Sequence, residues 1–187
     1  FFWSGTNIRE DEYGGSIENR SQFVSDIIKS VRENVSENFI VGLRFSQWKQ
    51  HDFEAKLASN PEELKTILTS PVESGLDYLH SSMRRFWESE FTGSKENLAY
   101  WTKKITKIPT IGVGSVGLDS DFIDMTAPAT PTSIDKAIDD ITNDKYDLIA
   151  VGRALLSDHE WVLKMKEGRV NDCLLYTSPS PRDSGQS

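Results

Sequence analysis

Two runs of the sequence carry glycine where a strand would meet a helix: IGVGSVG at residues 111–117 and VGR at residues 151–153. Glycine lets backbone N–H groups approach an anion closely, and the helix start that follows adds its positive dipole end, so such loops suit phosphate. Gly114, Ser115 and Gly152 would present N–H groups, and Arg153 would add a fork of charged donors. Each loop alone reads equally well as a tight turn, with Arg153 in a surface ion pair. Two in succession, one carrying an arginine, point to phosphate. A second arginine, Arg44, closes the run FIVGLRF at residues 39–45. Its guanidinium cannot shed its proton, so at the end of a buried strand it needs an anion or carbonyl oxygens to pair with. A carboxylate from a neighbouring strand would serve, and so would a cofactor that becomes negative during turnover.

The elements that position these residues repeat. Four short runs rich in β-branched residues, at 39–45, 76–80, 109–113 and 146–151, begin 37, 33 and 37 residues apart, with helix-like segments between them. Strands alternating with helices indicate βα units and a parallel sheet. Ser16 precedes an apolar stripe of Phe23, Ile27, Val31 and Val35, flanked by Val24 and Ile28. Asn60, Pro61 and Glu63 form an N-cap, a first-turn proline and a capping-box glutamate before Leu64, Ile67 and Leu68, and Pro71 should end or kink that helix. Leu98, Trp101 and Ile105 mark a third helix; Ser133 with Ile134, Ala137, Ile138 and Ile141 marks a fourth; residues 161–167 read as a closing helix.

A (β/α)8 barrel takes about 31 residues per unit, so four units are half of one. A doubly wound open sheet competes with that reading. The alternation of the first strand favours the barrel, because Ile40, Gly42 and Arg44 on one face suit an interior with a charged mouth, while Val41, Leu43 and Phe45 suit a helix layer. The expected class is therefore α/β, four parallel βα units forming the second half of a (β/α)8 TIM barrel, incomplete as it stands.

Composition narrows the partners. The formal net charge is -8, and the basic residues cluster only in pairs such as Arg84-Arg85 and Lys103-Lys104, which argues against nucleic acid and anionic membranes and for a small molecule. No apolar stretch approaches the roughly 20 residues of a membrane helix, and the start FFWSGTN lacks the basic and apolar regions of a signal peptide. Opening on Phe1, it reads as the inside of a longer protein. The last 15 residues, CLLYTSPSPRDSGQS, turn to Ser, Pro and Gly; they read as a disordered tail at 173–187 and resemble the translation of a sequencing-library adaptor. The only cysteine, Cys173, lies there, so disulfide and thiolate chemistry are not expected in the body, which is compatible with a cytoplasmic location. His51, His80 and His159 make no trio with metal-ligand spacing, and no metal is expected. His80 ends its strand and reads first as a hydrogen-bonded structural residue. Phe86, Trp87 and Phe91 follow the second strand, where they would anchor a loop or pack on a flat ligand. Asp139 and Asp140 read as solvated helix surface.

The N-terminal stretch TNIREDEYGGSIENRSQF closely resembles the signature of the old yellow enzyme family of NAD(P)H:flavin oxidoreductases, matched by Thr6, Asn7, Arg9, Asp11, Glu12, Tyr13, Gly14, Gly15, Ser16, Glu18, Asn19, Arg20 and Phe23. The resemblance continues through VGLRFSQWKQ, MRRFWESEF, GVGSVGL and DLIAVGRALLSD and covers residues 1–172. It implies an FMN-binding TIM barrel that uses NAD(P)H to reduce activated C=C bonds such as those of α,β-unsaturated carbonyls, with this chain as its C-terminal half. It also implies that Arg44 contacts the pyrimidine side of the flavin and that Gly114, Ser115, Gly152 and Arg153 cradle the FMN phosphate. The signature itself reads as a lock between a long loop and a helix, built on Ser16, the Gly14-Gly15 turn, and the Arg20 and Asp11 charges. The family's carbonyl-binding pair and proton-donating tyrosine are expected upstream of Phe1, so no catalytic residue is assigned, and the missing N-terminal half is an expected partner. The alternatives are an inactive truncated remnant, able to dimerise through its open edges, and a phosphate-binding barrel of other chemistry.

Overall fold

In the computed structural model, the described residues are 1–49, 51–120 and 129–174. Helices and strands alternate: α1 (Ile17–Glu33), β1 (Gly42–Ser46), α2 (Pro61–Glu73), β2 (Tyr78–Ser82), α3 (Leu98–Thr106), β3 (Thr110–Val113), α4 (Asp135–Thr142), β4 (Leu148–Ala150), α5 (Arg153–Ser157) and α6 (Trp161–Lys166), then a 3-10 turn at Val170–Asp172. The four strands make one parallel sheet in the order β1-β2-β3-β4. Side chains alternate along β1 as expected, with Phe45 buried toward the helices and Arg44 exposed on the other face. The core fills the space between sheet and helices through Leu64, Ile67, Leu68, Leu79 and Leu98, all essentially inaccessible.

The strands start later than the apolar runs suggest, and the cause is one device used twice. Asp77, just before β2, accepts the Val41 N–H at 2.7 Å and donates its own N–H to the Val41 carbonyl at 2.8 Å. Asp147, just before β4, does the same to Thr110, accepting its N–H at 2.8 Å and donating at 3.0 Å. Each carboxylate also meets a cation from a helix, Arg32 of α1 at 2.6 Å and Lys103 of α3 at 3.0 Å. The Val41 N–H, with Arg32 behind it, holds the Asp77 carboxyl below its ordinary value. These clamps stand at the N-terminal edge of the sheet, the edge that serves stability in a barrel. Phe39 and Ile40 fall outside the clamp and are 56% and 70% exposed.

Several local expectations shift. Ser16 caps α1 by accepting the Asn19 N–H, and Asn60 caps α2 by accepting that of Glu63 at 2.9 Å. Glu63 reaches back to the Ser59 N–H at 2.7 Å. Helix α2 runs through Pro71 to Glu73, because a proline in the last turn removes only one helical donor. The buried stripe of α1 is Ser21, Ser25 and Ile28, leaving Ile27 and Val31 largely exposed. The two helices approach closely enough there for the Ser25 and Ser70 hydroxyls to bond at 2.8 Å. In α4 the Ser133 hydroxyl accepts the Asp135 N–H at 3.0 Å and the helix begins at Asp135.

Asp140 corrects the reading of solvated surface: it is 3% exposed, while Asp139 is exposed. Its carboxylate meets Lys136 at 2.9 Å and Lys145 at 3.2 Å and accepts from the buried Tyr146 hydroxyl at 3.4 Å, so three partners supply what water would. Burial, and then the Asp140 charge, push the Tyr146 phenol well above its ordinary value.

The first residues of the expected tail are tied to the body: Cys173 is buried, and Leu174, its side chain exposed, donates its backbone N–H to Asp158 at 2.9 Å. Residues 175–187 of that tail lie outside the described residues. Among the described residues, no helix is long and apolar enough to cross a membrane.

Candidate functional site

The strands deliver their C-terminal ends to one cavity of about 410 Å³, where Arg44, Gly114, Ser115, Gly152 and Arg153 all meet. Residues 44 and 153, more than a hundred apart in sequence, are brought together because β1 and β4 bound one parallel sheet whose loops open on the same side. In such sheets the carboxyl ends of the strands are where ligands bind.

The two glycine loops interlock. The Arg153 guanidinium donates to the Ser115 hydroxyl at 3.3 Å and to the Ser120 carbonyl at 2.8 Å. Ser115 in turn donates to the Arg84 carbonyl at 3.0 Å, and its backbone takes φ = 48°, the left-handed turn that aims the loop back over the strand end. Gly114 is held by its neighbour strand. Its carbonyl accepts the Phe86 N–H at 3.1 Å, and a Cβ placed on it would stand 2.8 Å from the Met83 carbonyl oxygen. At Gly152 a Cβ would meet nothing within 4 Å, so this chain's own atoms leave the space above it open. Arg44 donates to the Ser82 hydroxyl at 3.2 Å, and among the described residues no carboxylate reaches salt-bridge distance of it.

Among the described residues, Arg44, Arg84 and Arg153 line the cavity and give it basic donors, although the whole chain carries a net charge of -8. Trp48 forms part of the wall and donates its indole N–H to the Ser82 carbonyl at 3.2 Å. Sequence reasoning passed over Trp48, Ser82 and Arg84 as site residues. Ser82 lies two positions past His80, on the same face as Arg44, and that period of two was the available signal.

The remaining candidates separate from the cavity. His80 pairs in register with Arg44. Its Nε2 is buried without a partner among the described residues, and desolvation, then the Arg44 charge, lower its pKa. The expected hydrogen bond at that nitrogen is absent. His51 and His159 are exposed, and no group of three metal-ligating side chains occurs among the described residues. Phe86 and Phe91 are 3% and 6% exposed and belong to the core, Phe91 edge-on to Trp101, so they anchor the loop after β2. The N-terminal signature is a knot of local bonds. Asn7 donates to the Phe1 and Tyr13 carbonyls at 2.7 Å each, Arg20 donates to the Phe2 carbonyl at 2.7 Å, Tyr13 donates to Asp26 at 3.1 Å, and Phe1 stacks on Phe23. Asp11 pairs with Arg9 rather than with Arg20.

Known proteins share this sequence and arrangement. The family model described as NADH:flavin oxidoreductase / NADH oxidase matches residues 1–172. An NADH oxidase of Thermoanaerobacter brockii is 35% identical over 175 residues, which is 89% of this chain and 24% of that protein. The cinnamate reductase of Clostridium sporogenes is 28% identical across 90% of this chain and 26% of its own length. Among solved structures, morphinone reductase in complex with tetrahydroNAD superposes with a TM-score of 0.64 at 21% identity, covering 95% of this chain and 41% of that one. The chain thus spans less than half the length of these proteins, and its four βα units match part of a TIM barrel. A family model that runs from Phe1 through the 3-10 turn after α6 leaves one assignment: the chain belongs to the NADH:flavin oxidoreductase / NADH oxidase family, that of old yellow enzyme.

Proposed function

We propose that the cavity binds FMN, with Gly114, Ser115, Gly152 and Arg153 around its phosphate and Arg44 near its ring. The whole barrel is then an NAD(P)H-dependent reductase of activated C=C bonds. The observation that carries this reading is convergence: both glycine loops, with the Ser115 hydroxyl, Arg153 and Arg44, open on one cavity at the strand ends. Shape agrees. Arg44 on β1 and Arg153 after β4 stand three strand spacings apart along the sheet, about 14 Å, so a ligand that meets both is elongated and has its anion at one end. The donor set fits FMN, since the Ser115 hydroxyl and the Arg153 fork suit phosphate oxygens and Trp48 offers a flat wall.

When bound, FMN supplies a hydride carrier between NAD(P)H and an activated alkene. The chain's own residues bind and orient: Arg153 and Ser115 fix one end, and Arg44, held by Ser82, places a permanent positive charge near the other, where it stabilises negative charge on a reduced ring. No residue of this chain is assigned to protonate the substrate or hold its carbonyl. Those roles go to sequence of the barrel's N-terminal half, whose strands would pair with the outer edges of β1 and β4. The similarity to a cinnamate reductase supports an α,β-unsaturated acid or carbonyl compound as the small-molecule substrate.

The test is to add FMN during purification and follow flavin absorbance through gel filtration, then to assay NAD(P)H oxidation with an enone. We expect flavin to co-elute with the chain and turnover to be negligible until the N-terminal half is supplied. A chain that retains no flavin would contradict the FMN reading. The unpaired outer edges of β1 and β4 favour the second reading, an inactive remnant, in that event.

A further inference from the structure

We propose that Trp161, the first residue of α6, is a positioning residue for the anion cradle, and that residue 117 is glycine so that the Trp161 indole can lie against the cradle loop. This inference rests on the FMN reading above. The β3–β4 ladder stops at Val113 beside Ala150, one residue before Gly114 and two before Gly152. Beyond that point Arg153 bridges the two loops, donating to the Ser115 hydroxyl at 3.3 Å and to the Ser120 carbonyl at 2.8 Å. Both bonds need the loops held at a fixed spacing.

Trp161 meets that need from below. A Cβ placed on Gly117 would stand 2.6 Å from Cζ2 of the Trp161 ring and 3.1 Å from its Cε2 and Nε1, closer than side-chain carbons approach. Gly117 also takes φ = 74°, in the region glycine favours, so backbone and neighbour both demand it. The loop that the ring supports is short and tight: the Leu118 N–H returns to the Ser115 carbonyl at 3.1 Å. On its other side Trp161 is tied to the second loop. Its N–H donates to the Asp158 carbonyl at 3.1 Å, the Asp158 N–H donates to Ala154 at 3.0 Å, and the Leu155 N–H donates to Gly152 at 3.0 Å. A continuous path therefore runs from Gly114 and Ser115 through the Trp161 ring to Gly152 and Arg153.

The ring rather than its N–H does this. Trp161 is 5% exposed, and its indole nitrogen has no hydrogen-bond partner among the described residues. A buried indole usually finds one. Phenylalanine would keep most of the wedge and remove the unpaired group.

Titration of the chain with FMN and with riboflavin, which lacks only the phosphate, separates positioning from general stability. The ratio of the two affinities reports the cradle. Trp161→Ala and Gly117→Ala are expected to lower that ratio about tenfold, the worth of one charge-assisted hydrogen bond, by weakening FMN while riboflavin binding stays. Trp161→Phe should keep the wild-type ratio, and Trp161→Leu replaces Trp161→Ala if the latter fails to fold. Variants that keep the wild-type ratio, or that lose both ligands in proportion, overturn the inference. A wild-type chain that binds FMN no better than riboflavin overturns the phosphate reading itself, and the positioning role with it. The wild-type ratio tests the one and the variant ratios the other.

Discussion

Arg153→Ala is expected to weaken FMN binding about 100-fold while leaving riboflavin binding within about twofold, since a charged fork on a phosphate is worth roughly 3 kcal/mol. Arg153 stands at the start of α5, lines the cavity and reaches Ser115 across the gap between the two glycine loops. Alanine there removes both the charge on the ligand and the bond between the loops, so the effect exceeds that of one surface ion pair. Arg153→Lys keeps the charge and loses the planar fork, and should fall between, about tenfold weaker than wild type. Fluorescence titration with both flavins measures this. Equal losses for FMN and riboflavin would mean that Arg153 holds the fold rather than the phosphate.

The second large effect lies behind the cradle, at Asp158. This residue is 1% exposed and accepts from Lys164 at 2.8 Å, from the Glu160 N–H at 3.0 Å and from the Leu174 N–H at 2.9 Å. Lys164 is itself 7% exposed. The Lys164 ammonium, then the Leu174 N–H, hold the Asp158 carboxyl down at about 2. A carboxyl whose folded-state value is depressed contributes stability that is present above its unfolded value, about 4. That stability is lost as the pH falls toward the folded value of about 2. Acid unfolding of the wild type should therefore steepen between those two pH values, and Asp158→Asn should flatten the curve there by about one proton. Asp158→Ala leaves the buried Lys164 ammonium with only the exposed Glu160 carboxylate at 3.7 Å and should lower the Tm by about 10 °C at neutral pH. Thermal melts across pH check both. A variant curve parallel to wild type below pH 4 would refute the pairing as a source of stability.

The βα period, the parallel sheet and the convergence of Arg44 with the two glycine loops could all be read in the sequence, because strand spacing and glycine placement are local signals that topology then brings together. What escaped it depends on contacts between distant segments. Asp140 looks like helix surface until Lys136, Lys145 and Tyr146 close over it. Ser21 and Ser25 look like polar gaps in a helix, yet with Ile28 they are its buried stripe, Ser25 bonding the Ser70 hydroxyl of α2, while Ile27 and Val31 stay exposed. The strands start later than the apolar runs because Asp77 and Asp147, which lie inside the runs at 76–80 and 146–151, turn their carboxylates back onto Val41 and Thr110, and those clamps span 36 and 37 positions. Trp48 and Arg84 lie within two stretches of the family resemblance, VGLRFSQWKQ and MRRFWESEF, but each follows a strand in a loop whose course only the fold determines.

The central claim is that the cavity at the strand ends recognises FMN through its phosphate. Parallel equilibrium titrations of the unaltered chain with FMN and riboflavin, repeated with inorganic phosphate as competitor, test it most directly. FMN is expected to bind more tightly than riboflavin by at least about tenfold, one charge-assisted hydrogen bond's worth, with phosphate weakening FMN binding but not riboflavin binding. Equal affinity for the two flavins, or indifference of FMN binding to phosphate, would contradict it.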